Sequence, residues 1–351
     1  MTTPICRFCS IVPPFVLEQI ARTGTPEQRG WALDTLRSDS TIRTERLHRT
    51  LRVRSSLRAE LAGRRRGTLS RTIFDAENRE DAEADQIVRR EGEPSGQDLA
   101  VNEAYDGLGA THSFYWDLFR RDSIDDRGMG LEGVVHYGID FDNAMWDGAR
   151  MLFGDGDGQI LTRTTAALDV IGHELTHGVT QYTANLIYIA QSGALNESIS
   201  DVFGMLIKQR HLGRTAAQSD WLVGVGIVGP VLGGGALRSM ADPGSAYQGD
   251  PQVGHMRDYV RTSADNRGVH INSGIPNRAF HQVALALGGH AWERAGRIWY
   301  AALCDPELRA DAQFADFAAV TTAQARRLYG SSATEVVAVT DAWRSVGVVV
   351  S

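Results

Sequence analysis

Apolar and polar positions divide the chain into three textures. Over the first 66 residues the apolar positions recur at helical spacing. They predict helices over Val16–Gly24, Pro26–Leu36 and Ser40–Leu61, the last carried by Leu47, Leu51, Leu57 and Leu61 among many arginines. Arg64-Arg65-Arg66-Gly67 then breaks the pattern as a linker does. From Arg71 to Gly158 short β-type runs, such as Val134-Val135-His136-Tyr137-Gly138-Ile139, are separated by aspartate- and glycine-rich turns, notably Gly154-Asp155-Gly156-Asp157-Gly158. One helix, Asp98–Phe119, is expected in this stretch. After Leu168 helical patterns dominate: Asp169–Tyr182, Ser192–Arg210, Gly274–Leu287, Trp292–Cys304 and Phe314–Tyr329, with Gly224–Gly235 as a glycine-rich loop. The expected architecture is α+β: a helical arm over 1–66, a β-rich lobe over 67–179 that ends in a helix, and an α-helical lobe over 180–351.

The chemistry concentrates at the start of the helical lobe. In His173-Glu174-Leu175-Thr176-His177 the two histidines are four apart, so a helix puts both imidazoles on one face, within reach of one metal ion. Glu174 lies near that face without having to bind the metal, the position for a carboxylate that takes a proton from a metal-activated water. The bland alternative is a solvated helix face. Asn196-Glu197-Ser198-Ile199-Ser200-Asp201 weighs against it, because a returning helix brings Glu197 to the same ion as a third ligand and leaves a fourth position open, as in catalytic zinc sites. Asp201, one turn on, is placed to accept the far N–H of a ligand histidine.

Composition narrows the class without deciding it. The 351 residues are 42% hydrophobic and carry 36 basic against 43 acidic groups, which excludes wholesale disorder. No apolar run is long enough for a membrane helix, and Met1–Ile20 lacks the pattern of a signal peptide. Residues 1–66 hold 13 arginines and 6 acidic residues, whereas the remainder is acidic. Such an arm binds nucleic acid or docks on its own body. With few interleaved aromatics, the second reading is taken and no nucleic-acid partner is expected. Three cysteines cannot form a disulfide framework, and Cys6-Arg7-Phe8-Cys9 lacks a second pair to complete a zinc ribbon.

Over residues 70–351 the sequence resembles the thermolysin family of zinc endopeptidases. The resemblance rests on Asn143-Ala144-Met145-Trp146, Gly154–Gly158, the two clusters above, Leu237-Arg238-Ser239-Met240 and Asp265-Asn266-Arg267-Gly268-Val269-His270-Ile271-Asn272-Ser273-Gly274. Cys9-Ser10-Ile11-Val12-Pro13-Pro14-Phe15-Val16-Leu17 resembles the short propeptide of the protealysin-like branch, whose proline-proline motif lies against the active-site cleft. The resemblance implies a thermolysin-like two-lobe fold with the active-site helix between the lobes. It also implies one catalytic zinc on His173, His177 and Glu197, with Glu174 as general base. By the same match Tyr188 and His270 stabilise the oxyanion, and Asp265 orients His270. Asn143 and the carbonyl of Ala144 hold the substrate backbone, Arg238 holds the P1′ carbonyl, and Leu161, Val170 and Leu237 line an apolar S1′ pocket. An acidic site for a substrate α-amine, as in aminopeptidases, is missing, and Thr183 occupies the position of the third histidine of metzincins. A catalytically dead binding protein is disfavoured because every expected ligand and acid–base residue is present.

The implied partners are peptide and protein substrates and the chain's own propeptide in cis. The protein is expected to be a monomer, secreted as its family is, with cytoplasmic residence as the alternative. Two departures stand out: Met145 replaces a usual aromatic, which would alter the S1/S2 wall, and Arg267 replaces a common glycine. The family's double calcium site is matched by Asp169 and Asp220 only, since Lys208, Leu222 and Val225 stand at its other ligand positions. Calcium wants six to eight oxygens. That site is therefore expected to be absent and replaced by Lys208 between the two aspartates, with calcium elsewhere still open.

Overall fold

The computed structural model describes residues 10–40 and 65–349. The described residues form two compact units, residues 10–40 and 65–179 with 224–235, and residues 180–223 with 236–349.

The first unit opens with two helices. Helix α1 (Pro14–Thr23) starts at a proline that needs no N–H partner and buries Val16, Leu17 and Ile20. Helix α2 begins at residue 26 and continues through residue 40. Its start is a reciprocal cap in which Thr25 and Gln28 exchange backbone-to-side-chain bonds. Ala32, Thr35, Ser38 and Asp39 form its buried stripe. The expected break between Leu36 and Ser40 is not found, and the rest of the expected Ser40–Leu61 helix lies outside the described residues, as do Cys6 and Cys9.

Five strands follow: β1 (Arg71–Asp75), β2 (Ile87–Arg90), β3 (Leu131–Val135), β4 (Ala144–Trp146) and β5 (Met151–Phe153). They assemble in the order β2-β1-β3-β5-β4, with β1, β3 and β5 parallel and the outer two antiparallel to their neighbours. The expected run Val134–Ile139 ends early, because His136 turns left-handed at φ 52° and takes the chain out of the sheet. Between β2 and β3 lies α3 (Leu99–Phe119), capped by the Asp98 carboxylate on the amides of Ala100 and Val101. Phe74, Val134, Tyr137, Phe141, Met145 and Leu152 pack together on one side of the sheet. Met145, which replaces a usual aromatic, is one of these buried residues. The unit's last long helix is α4 (Leu168–Gln181).

The second unit is helical: α5 (Ala190–Leu212), α6 (Asp265–Asn272), α7 (Gly274–Leu287), α8 (Ala295–Leu303), α9 (Phe314–Tyr329) and α10 (Thr334–Ser345), with a two-stranded ribbon of β6 (Leu222–Val223) and β7 (Arg238–Ser239). Its core is aromatic. Trp299 meets Phe280, Phe317 and Trp343 at centroid distances of 5.0, 6.1 and 6.2 Å, all fully buried. The Trp343 indole N–H donates to Thr321, so the large ring is buried without an unpaired donor.

Candidate active site

Helix α4 carries His173, Glu174 and His177, and none of the three has measurable exposure. Its apolar positions Val170, Ile171, Leu175 and Val179 hold it in the first unit's interior, and the Thr176 hydroxyl meets that of Tyr115 on α3 at 2.7 Å. Four-residue spacing brings His173 Nε2 and His177 Nε2 to 3.0 Å from one another. Glu174 Oε2 accepts the backbone N–H of Trp146, the last residue of edge strand β4, at 3.0 Å. The catalytic helix and the edge strand are thus tied through the carboxylate expected to act as base.

In the second unit, α5 places Glu197 two turns inside the helix, not at its start, and fully buried. The Tyr188 hydroxyl donates to Glu197 Oε1 and sits 3.2 Å from His270 Nε2. His270 Nε2 lies 3.5 Å from Glu197 Oε2, while its Nδ1 meets Asp265 Oδ1 at 2.5 Å and its backbone N–H donates to Asp265 Oδ2. Burial disfavours charge on this imidazole, but the carboxylates of Glu197 and Asp265 override it and hold the His270 pKa above the usual range. Asp265 reaches His270 through a left-handed turn in which Asp265, Asn266, Arg267 and Gly268 all have positive φ.

Arg238 donates Nε and Nη2 to Asp201 at 2.8–3.1 Å, and Asn277 Nδ2 donates to the same carboxylate at 2.8 Å. Sequence reasoning named Asp201 and Arg238 separately and missed both their pairing and Asn277, since residues 37 and 76 positions from Asp201 meet it only through tertiary structure. Asn143, Ala144, Leu161 and Val170 are fully buried and Leu237 nearly so. Lys208 Nζ lies 3.3 Å from Asp220 Oδ1 and donates to the Leu222 carbonyl at 2.8 Å, whereas Asp169 accepts the N–H groups of Val170 and Gly224.

His173, His177 and Glu197 each offer one ligand atom, and these atoms all lie within 4.8 Å of one another. Two imidazoles and a carboxylate are the donor set of a catalytic zinc site with three protein ligands. Ligands at tetrahedral angles and zinc–nitrogen distances of about 2.0–2.1 Å stand about 3.3 Å apart, close to the observed imidazole separation. The residues fit the ion.

Comparison with known proteins gives the same picture. A family model described as the thermolysin metallopeptidase catalytic domain matches residues 39–181, and one described as the thermolysin metallopeptidase alpha-helical domain matches residues 184–348. An extracellular metalloprotease of Pectobacterium carotovorum subsp. carotovorum is 48% identical over 345 residues, 97% of this chain and 96% of its own length. Protease PrtS of Photorhabdus sp. (strain Az29) is 42% identical over 96% of this chain and 91% of its own. The solved structure of the precursor of protealysin from Serratia proteamaculans superposes with a TM-score of 0.87 at 46% identity, covering 97% of this chain and all of that one.

Proposed function

The chain belongs to the thermolysin family of zinc metallopeptidases, and on that premise we propose a neutral endopeptidase made in a form that its own residues 1–66 hold inactive. The observation that carries the reading is the convergence of His173, His177 and Glu197 at ligand distance from one another. Zinc held by these three residues supplies a Lewis acid that brings the pKa of a bound water to about 7.

The chain's own groups do the rest. Glu174, its carboxylate aimed by the Trp146 amide, takes the proton of the attacking water and hands it to the leaving amine. The Tyr188 hydroxyl and His270 Nε2, 3.2 Å apart, are spaced to converge on one oxyanion. Asp265 accepts the Nδ1–H of His270 and, with Glu197, favours the imidazolium, in which Nε2 also carries a proton to donate. Arg238, held bidentately by Asp201, is oriented for the P1′ carbonyl. Asn143 and the carbonyl of Ala144 hold the substrate backbone along the edge of the sheet. Leu161, Val170 and Leu237 give an apolar S1′ pocket and a preference for bulky apolar residues after the scissile bond.

The arm's contacts support latency. The Ile11 N–H donates to the Ala144 carbonyl at 3.2 Å and the Val12 N–H to Asn143 Oδ1 at 3.1 Å, so the arm uses two of the groups assigned to substrate. From α2, Asp39 accepts from Asn143 Nδ2 and Thr35 Oγ1 accepts from the Asp142 N–H. The name of the Pectobacterium relative supports secretion. We further read Lys208 as standing in for the family's double calcium site, supported by its contacts with Asp220 and the Leu222 carbonyl.

Glu174→Gln tests the mechanism. It keeps all three ligands, so the variant should bind zinc stoichiometrically while peptide hydrolysis falls by at least about a hundredfold. Metal analysis and turnover on a denatured protein provide the check, and more than about a tenth of wild-type activity would falsify Glu174 as base.

A further inference from the structure

The imidazole of His270 is held by Asp265, but nothing described so far fixes its carbonyl end. That end meets the loop that returns from Arg238. Gln252, only 6% exposed, donates Nε2 to the His270 carbonyl and to Ser273 Oγ, both at 3.1 Å. Ser273 Oγ in turn donates to the same carbonyl at 2.8 Å. The next residue continues the contact: the Val253 N–H donates to the Ile271 carbonyl at 3.1 Å. A side chain at Gly274 would lie 2.6 Å from the Val253 carbonyl and 2.8 Å from Gln252 Cγ, so glycine there lets the loop press against the His270–Gly274 turn. The loop is itself braced. Asp250 accepts the amides of Gln252 and Ala246, and burial raises its pKa while those amides and the Arg238 charge oppose the rise.

We infer that Gln252 is a positioning residue for His270, gripping its carbonyl through a neutral amide while Asp265 grips its ring. A carbonyl accepts from any N–H or O–H, and the Gln252 amide adds a second donor beside the Ser273 hydroxyl without bringing a charge near His270. With both ends fixed, Nε2 is held in place before substrate arrives, so the contribution belongs to the transition state and not to substrate binding. The inference rests on the peptidase reading above and adds a residue that touches no reacting atom.

The experiment uses the matured, zinc-loaded enzyme and a peptide substrate. Gln252→Leu keeps the size and removes the donor. We expect kcat to fall roughly 10–100-fold, as for other partners that orient an active-site histidine, with zinc content unchanged. KM should stay within about twofold. An unchanged kcat, or a loss matched by an equal loss of folded protein, overturns the inference. Gln252→Glu gives an independent reading should the leucine variant not fold. When protonated, the carboxyl can donate to the His270 carbonyl; when ionised, it can only repel it. Its activity relative to wild type should approach one near about pH 5.5 and fall to about a tenth near about pH 8.5. A ratio that does not change with pH overturns the assignment. Glu174→Gln in the same assay separates the two claims. If it is dead while both Gln252 variants keep full activity, only the positioning role fails. If it turns over substrate, the peptidase mechanism fails first.

Discussion

His136 shows how one side chain can make the first unit sensitive to pH. Its Nδ1 lies 2.7 Å from Asp155 Oδ2 and its Nε2 lies 2.9 Å from Asp98 Oδ2, so it links the cap of α3 to the Gly154–Gly158 turn. The hydrogen bond to Asp155 raises its pKa most, burial opposes, and Asp98 adds to the rise, for a value of about 9 against the usual 6.5. Because the folded value lies above the unfolded one, the stabilisation is fully present below about pH 6.5 and lost as pH rises through about 9. A shift of that size corresponds to about 3 kcal/mol, which solvent screening at this partly exposed site reduces to about 1–2 kcal/mol. His136→Gln, made in the Glu174→Gln background so that self-digestion does not interfere, should therefore cost about 1–2 kcal/mol near pH 6 and almost nothing near pH 10.5 by denaturant unfolding. An equal cost at both would show that the ring acts by packing. The sequence marks His136 only as part of a β run, since its partners lie 38 and 19 residues away. The zinc ligands on α4 are legible for the opposite reason: their spacing of four is itself the geometry. Gln252 and Asn277 have no such local signature.

At the level of elements, the turn that presents Asp265 to His270 is built at a cost. Asn266 and Arg267 sit at φ 47° and 68°, where a Cβ is disfavoured by about 1–2 kcal/mol per residue. The exposed Arg267, standing where a glycine is common, should yield about 0.5–1 kcal/mol when changed to glycine, after allowance for the freer unfolded chain. Peptidase activity should be retained, and a drop in stability would mean that its side chain makes a stabilising contact. Lys208 offers a second test. Its side chain is 14% exposed, and the ammonium serves Asp220 and the Leu222 carbonyl, holding α5 to β6. Lys208→Met should destabilise by about 1.5–3 kcal/mol, the range for hydrogen bonds to charged groups. Millimolar calcium should leave its midpoint of thermal unfolding unchanged, whereas a calcium-dependent rise would restore the ion to this region. Helix α10 was readable and missed: Val336, Val339 and Trp343 mark a helical face. The left-handed turn was not readable, because three of its four residues are not glycine.

At the level of the whole molecule, the arm and the peptidase body meet in a way that decides where the chain can be cut. The apolar S1′ pocket proposed above would direct cleavage before leucine, which offers Ser56–Leu57, Glu60–Leu61 and Thr68–Leu69. The first two bonds lie outside the described residues. The third lies in chain already fixed to the body. The Gly67 N–H donates to Asp122 at 2.9 Å, Arg66 pairs with Asp126 at 2.7 Å, and Thr68 turns back onto the Arg65 carbonyl. Gly67 also holds φ 77° against the Trp116 ring, where any side chain would collide, and β1 starts at Arg71. A protease binds its substrate as an extended strand. Residues 65–70 cannot become one without giving up these contacts, so maturation should cut upstream of Arg65 and leave that segment on the body. N-terminal sequencing of the matured wild type should find a start between residues 42 and 65, and a start at Leu69 would overturn the argument. Glu174→Gln should stay full length at low concentration and be cut at the same bond by added wild type. Asp39→Ala removes the carboxylate that holds Asn143 Nδ2, so maturation should begin sooner while the new N-terminus stays the same. An unaltered rate would place the hold on Asn143 with Val12 alone.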